Sequence, residues 1–385
     1  MKTNFSLVKY RFFIFGVLLF TGMVGCKKTT TNSNTGVFVP DSAVFAKERP
    51  SPGIVRGFMM NDVFGDTDCV AVQSWGANVI RIQMLPAKFA SNLGKPFLDA
   101  WPSFLDQLEQ QVLSAEQQGL KVVVDLHEPP FDSLAGFDDN SFWNRSDLEP
   151  ALIKAWHDIA ERLLPHRNSI WGYDLLNEPL NRSQLPGVAT QWRPLAIKIL
   201  QTIRKLDPDT WIVFEPGPGS LFSGFKNLEP LPDKHIIYSA HFYDPQTFTH
   251  QGVGVPAGTD LAIAMEQINV PYPSSANGVV VDKAYLESLL KDADNFQARW
   301  KVPIYVGEFS VIKWAPKESA KQWLTDITDL FDQRGWSWTY HAFREFLGWD
   351  LEYDESFWME GFPIPPPVNY ETDRAKIIKN AFKQN

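Results

Sequence analysis

Only two cysteines occur in the 385 residues, Cys26 and Cys69. With Cys26 assigned to a lipid anchor, as argued below, Cys69 stands alone, so neither an internal disulfide nor a Cys-based zinc site can form. The chain also lacks any long basic run in its body, and 36 Lys+Arg against 45 Asp+Glu give it a net charge of −9. Nucleic acid is thereby excluded as a partner. There is no Gly-rich phosphate loop of either common type and no Gly-x-Ser-x-Gly elbow, so nucleotide and serine-hydrolase chemistry have no support and no cofactor is expected. His127, His241 and a glutamate are the one set with zinc-ligand chemistry, but His-x-His and His-Glu-x-x-His spacings are missing and no metal is expected.

What the chain does have is apolar and aromatic bulk. It is 44% hydrophobic, with 14 Trp and 28 Phe, enough for a core of ordinary globular size. The aromatic excess has two outlets: further core, or ring platforms for a sugar.

The amino terminus carries an export signal. Lys2, Lys9 and Arg11 make a positive start, and Phe12 to Val24 is apolar but short for a bilayer span. Met23-Val24-Gly25-Cys26 then has the form of a bacterial lipobox, with Cys26 as the lipidated first residue of the mature chain. Residues 1–25 are thus expected to be a lipoprotein signal peptide and 26–49 a polar, Thr/Asn-rich tether. The protein would be displayed at the outer membrane or cell surface, the periplasmic face remaining open, and would touch the membrane through its lipid alone. Ordinary secretion with cleavage near the same place is the other reading of this segment.

From residue 50 onward, short apolar runs alternate with amphipathic stretches, which predicts parallel β/α units. Eight strand candidates cover 54–61, 78–84, 121–128, 170–178, 211–217, 236–244, 303–310 and 336–343. Eight is the number of a closed (β/α)8 TIM barrel, so residues 50–385 are expected to form one such domain, as a monomer. Between strands, Leu148, Leu152, Ala155, Trp156, Ile159 and Leu163 recur at helical spacing, as do Trp192, Leu195, Ile199, Ile203 and Leu206, the latter with Thr190 as a plausible cap. Connections into strands are short, whereas 129–146, 245–281 and 344–369 are long and carry Phe131, Phe137, Trp143, Phe248, Tyr272, Trp349, Phe357 and Trp358. Long aromatic loops on one face predict a cleft at the carboxyl ends of the strands.

Two glutamates are expected at the strand ends that line that cleft, although a lone Asn-Glu-Pro would read as a surface Glu in a strand-to-loop turn. Ile170-Trp171-Gly172-Tyr173-Asp174-Leu175-Leu176 runs into Asn177-Glu178-Pro179, where proline ends the strand and favours extended geometry at Glu178. Pro303 to Val306 closes in Gly307-Glu308. Paired strand-end carboxylates are what glycoside hydrolysis requires. Arg81, in an apolar strand, needs a carboxylate partner. Beside Glu308 it would keep that group an anion; a structural bridge to Asp125 or Asp174 is the alternative. His127, His241 and Tyr243 are polar groups at the same strand ends, suited to orienting sugar hydroxyls or the glutamates, or else satisfied within the core.

Asn-Glu-Pro closing strand four, Gly-Glu closing strand seven, Asn-Val-Ile-Arg-Ile on strand two, Asp-Leu-His on strand three and His-Phe-Tyr-Asp-Pro on strand six together resemble glycoside hydrolase family 5, the cellulase and mannanase family, from about residue 50 to the carboxyl terminus. The resemblance implies a retaining β-glycosidase acting on a β-linked glucan, mannan or related oligo- or polysaccharide. It implies Glu178 as acid/base, Glu308 as nucleophile, Asn177 as partner of the substrate's 2-hydroxyl, and Arg81, His127, His241 and Tyr243 as supporting residues. One departure stands out: the family's strand-eight tryptophan platform falls on His341, so the platform would come from Trp338 or Trp349, or the sugar pocket is altered. From a different class, the competing reading is a non-catalytic glycan-binding lipoprotein on the same barrel.

Overall fold

A computed structural model describes residues 50–131, 138–255, 259, 261–276, 278–358, 362–368 and 371–385. The export signal, Cys26, the tether and Phe137 lie outside the described residues.

Eight parallel strands close into a barrel: β1 Arg56–Met60, β2 Val79–Met84, β3 Lys121–Leu126, β4 Ile170–Asp174, β5 Ile212–Phe214, β6 Ile236–Phe242, β7 Ile304–Phe309 and β8 Ser337–Phe343. Each pairs with its sequence neighbours, and β1 meets β8 to complete the ring. All eight predicted runs are strands. The 245–281 loop adds a two-stranded antiparallel ribbon, Ser274–Ala276 with Val279–Val281, that the strand pattern did not predict.

The period of two along each strand sorts the barrel interior from its shell. Inward-facing Val79, Val123, Trp171, Val213, Ile237 and Tyr305 pack together as an apolar floor. Two residues further along β2, β3 and β5, and four along β6, the corresponding positions are Arg81, Asp125, Glu215 and His241, all buried. Outward-facing Ile80, Ile82, Val122, Val124 and Tyr238 join the shell core with the helices. In that shell, helix Leu148–Leu163 buries all six residues of its predicted stripe. Helix Trp192–Leu206 does likewise, except that Leu206 is half-buried and Gln191, not Thr190, precedes the first turn, without a side-chain cap. Cys69 is buried, and its thiol is pushed up to about 12 by burial and then by Asp68 and Asp66, which leaves it chemically quiet.

The long loop after β8 is fixed by two buried cations. Lys313 Nζ donates to the backbone carbonyls of Asp354 (3.1 Å) and Ser356. Arg374, from the last helix, donates to the carbonyls of Asp350 (2.9 Å) and Tyr353 (3.2 Å).

Most loop aromatics serve packing. Phe131, Trp143, Phe248, Tyr272 and Trp349 are buried, and Phe357 and Trp358 are half-buried. Trp143 donates its Nε1–H to the Leu180 carbonyl and packs edge-on against Trp192, so it is part of the shell and not a sugar platform. Trp338 stacks on Phe382 beneath the C-terminal helix, which removes it as the strand-eight platform. Trp349 is 1% exposed and closed in by His250, His341 and Phe346, which removes it as well.

Candidate active site

The strand ends converge on Arg81. Its Nη1 donates to Glu308 Oε1 at 2.6 Å, and its Nη2 lies 3.0 Å from Asn177 Oδ1, 3.1 Å from Asp174 Oδ2 and Glu215 Oε1, and 3.2 Å from Asp125 Oδ1. Arg81 thus pairs with Glu308 and also bridges to Asp125 and Asp174, the partners that the two sequence readings named. So many carboxylates around one guanidinium are tolerable because they do not share a charge state. Burial, then Glu215, pushes the Asp174 carboxyl well above the usual range, so that it keeps its proton. Burial alone would raise Glu215 too, but His241, Arg81 and a hydrogen bond from Ser220 hold it at about 2.

His241 sits between three glutamates. Its Nδ1 is 2.9 Å from Glu178 Oε1 and 3.7 Å from Glu308 Oε2, and its Nε2 is 3.1 Å from Glu215 Oε1. Burial disfavours the imidazolium, yet Glu308 and Glu215 push its pKa well above the ordinary value. Both ring nitrogens then donate, Nδ1 to Glu178 and Nε2 to Glu215. Gly307 makes room for this ring: a Cβ there would stand 2.9 Å from His241 Nε2.

Glu308 is held by Arg81 on one oxygen and by Tyr243 on the other, the phenol donating across 2.8 Å to Oε2. Burial would raise its carboxyl, but the charges of His241, His341 and Arg81 keep it well below the usual range, an anion at neutral pH. His127 bonds Asp125 through Nδ1 at 2.8 Å and presents Nε2 to Asn177 at 3.4 Å.

Glu178 departs from expectation. β4 ends at Asp174, four residues earlier, and Glu178 has φ +48°, in the left-handed region, in place of the extended geometry predicted from Pro179. Two backbone bonds impose this turn: Asn177 N–H to the Leu126 carbonyl at 3.1 Å, and Glu178 N–H to Glu215 Oε2 at 2.7 Å. Its carboxylate is 43% exposed, far more than the 5% of Glu308.

Glu178, His241 and Glu308 each offer an oxygen or nitrogen within 4.8 Å of the others, a spacing that also suits a metal ion. Both ring nitrogens of His241 are already engaged, Nδ1 with Glu178 and Nε2 with Glu215.

Over residues 51–346 the chain matches the description "Cellulase (glycosyl hydrolase family 5)". The chain belongs to glycosyl hydrolase family 5. It is a glycoside hydrolase, as its relatives are. Endoglucanase C of Acetivibrio thermocellus is 26% identical over 247 residues, covering 58% of this chain and 69% of that one. Cellodextrinase A of Ruminococcus flavefaciens is 23% identical over 271 residues, covering 70% and 75%. In fold, the family 5 chain superposes on Thermotoga maritima Cel5A, solved in complex with mannotriose, with a TM-score of 0.62 at 20% identity, covering 78% of this chain and 92% of that one.

Seven residues singled out from sequence, Arg81, His127, Asn177, Glu178, His241, Tyr243 and Glu308, thus meet at one end of the family 5 barrel. Glu215 was not among them, although Ile212-Val213-Phe214 closing in Glu215-Pro216 repeats the pattern that marks Glu178. His341 and Glu345 also enter the cluster, His341 Nδ1 lying 2.6 Å from Tyr243 Oη.

Proposed function

We propose that the protein hydrolyses β-1,4-linked glucan chains with net retention, through a covalent glycosyl-enzyme on Glu308, and that Cys26 anchors it to the membrane as a monomer. The observation that carries the mechanism is the carboxylate spacing. One oxygen of Glu178 and one of Glu308 lie within 4.8 Å, which supports the short carboxyl separation of a retaining pair, about 5 to 5.5 Å, over the about 6.5 to 9.5 Å of an inverting one. Glu308, ionised and oriented by Arg81 and Tyr243, attacks the anomeric carbon while Glu178 gives its proton to the departing glycosidic oxygen. Glu178 then takes a proton from water as that water displaces Glu308. Its greater exposure suits a group that meets both leaving group and solvent. Asn177, held by Arg81, binds the 2-hydroxyl of the reacting sugar in this reading.

Glucan is favoured over mannan because relatives named endoglucanase and cellodextrinase cover most of the barrel. A 2-deoxy-2-fluoro-β-cellobioside with a good leaving group tests the catalytic reading. The expected result is one fluorosugar on the Glu308 peptide by mass spectrometry; labelling elsewhere, or a first product of inverted configuration, overturns it.

A further inference from the structure

His341 lies outside the mechanism above, yet it is bonded into it. Its ring is 12% exposed, with Nδ1 2.6 Å from Tyr243 Oη and Nε2 3.0 Å from Glu345 Oε2. The same phenol oxygen stands 2.8 Å from Glu308 Oε2. Tyrosine has one hydroxyl proton, and two neighbours, Glu308 Oε2 and His341 Nδ1, are within reach of it.

Which neighbour receives that proton depends on the ring. When His341 carries both protons, Nδ1 can only donate, so Tyr243 accepts from His341 and turns its own proton to Glu308. When the ring is neutral, Glu345 retains the remaining proton on Nε2, and the bare Nδ1 competes with Glu308 for the phenol. The groups facing the ring come from five places: Glu308 on β7, Tyr243 after β6, His250 beyond the following short helix, His127 after β3 and Glu345 on its own loop. Burial and His127 oppose the cation, but Glu308 and Glu345 outweigh them and raise its pKa.

We propose that His341 and Glu345 are a positioning pair for the nucleophile: the imidazolium commits the Tyr243 proton to Glu308, and loss of the imidazolium withdraws it. The inference rests on Glu308 being the nucleophile. It bears on breakdown of the glycosyl-enzyme, where the bond from C1 to Glu308 breaks and its electron pair returns to the carboxylate. Water supplies the new oxygen on C1 and its proton goes to Glu178. The phenol proton steadies the departing carboxylate as its charge develops.

The test uses 2,4-dinitrophenyl β-cellobioside, whose leaving group needs no proton, so that breakdown limits turnover. Glu178 then acts as a base, and its ionisation raises kcat with pH; an alkaline fall must come from another group. The expected result is a fall in kcat of about tenfold as His341 loses its proton. Glu345→Gln should move the midpoint about one unit lower, because the lost charge supported the cation. Glu345 is hydrogen-bonded to His341 and not to His241, and His341→Phe separates this shift from any action of the Glu345 charge on His127. His341→Phe leaves Glu308 as the sole acceptor and should abolish the fall. No alkaline fall in the unmodified enzyme, an unmoved midpoint in Glu345→Gln, or a persisting fall in His341→Phe each overturns the proposal, and either variant alone decides it. A stoichiometric burst of dinitrophenol reports the glycosyl-enzyme independently. Its absence removes the nucleophile reading and this inference with it, whereas a burst with pH-indifferent turnover removes the inference alone.

Discussion

The Glu178 amide donates to Glu215 Oε2 across 2.7 Å, so a buried carboxylate holds the backbone of the exposed one. The same Glu215 accepts from His241, which in turn donates to the Glu178 side chain. Backbone and carboxylate of Glu178 are therefore set by one neighbour. Glu215→Gln keeps the shape but removes the charge. We expect kcat to drop on the order of tenfold to a hundredfold with KM little changed, since charged hydrogen bonds of this kind are worth about 1.5 to 3 kcal/mol. Steady-state kinetics on cellotetraose checks it; unchanged kcat means that the turn holds without Glu215.

The two glutamates should fail differently. Glu308→Ala should lose on the order of 10⁴-fold or more in kcat, and azide should restore turnover as a glycosyl azide of inverted configuration. Glu178→Ala should cripple unactivated oligosaccharides far more than dinitrophenyl glycosides in the first step, because only the former need a proton. Equal losses on both substrates would place the acid elsewhere.

Stability should peak between two windows of opposite sign. The Glu215 carboxyl sits at about 2 against an ordinary 4.5, so its contribution is complete above 4.5 and lost as pH falls through about 2. His241 is held above its ordinary 6.5, so its contribution is complete below 6.5 and lost as pH rises through the raised value. Melting temperature should be highest between pH 4.5 and 6.5, and Glu215→Gln should lower the peak and flatten the acid side. Calorimetric scans across pH show this directly; a melting temperature that climbs steadily into alkaline pH contradicts it.

Anchoring is tested apart from catalysis. Cys26→Ser should move the protein from the membrane fraction to the soluble fraction with unaltered kcat. Continued sedimentation with membranes would exclude the lipid.

Among the loop tryptophans, Trp358 is half-buried and Trp349 is not exposed. Trp358→Ala should raise KM for cellopentaose severalfold and leave cellobiosides unaffected, as expected for a stacking ring worth on the order of 1 kcal/mol. Trp349→Ala should instead lower the melting temperature, as core truncations costing about 3 to 5 kcal/mol do. A length-dependent effect at Trp349 would reverse the assignment.

The barrel was readable because each strand is a short, largely apolar run set off by turn residues, a pattern that survives without any tertiary information. Glu178 and Glu308 were readable for the same reason, as charges at the ends of apolar runs. Glu215 carries that signal too; spacing does not convey that one of three such glutamates orients another. The loop aromatics could not be sorted from sequence, because composition does not distinguish a ring facing a sugar from one filling the shell under a long loop. Trp143 and Trp349 do the second. The left-handed turn at Glu178 runs against the local preference set by Pro179 and follows from Leu126 and Glu215, which are distant in sequence.

The cations beneath the β8 loop set the size of the part that can be exchanged. Lys313 and Arg374 bond chiefly to main-chain carbonyls between Asp350 and Ser356, with the Ser356 hydroxyl a further, longer contact of Lys313 at 3.3 Å. The loop's sequence can therefore drift while its path is kept. A loop transplanted from another barrel between Arg344 and Thr372 would leave both cations facing foreign backbone, so the transferable cassette begins at Val311 and ends beyond Arg374.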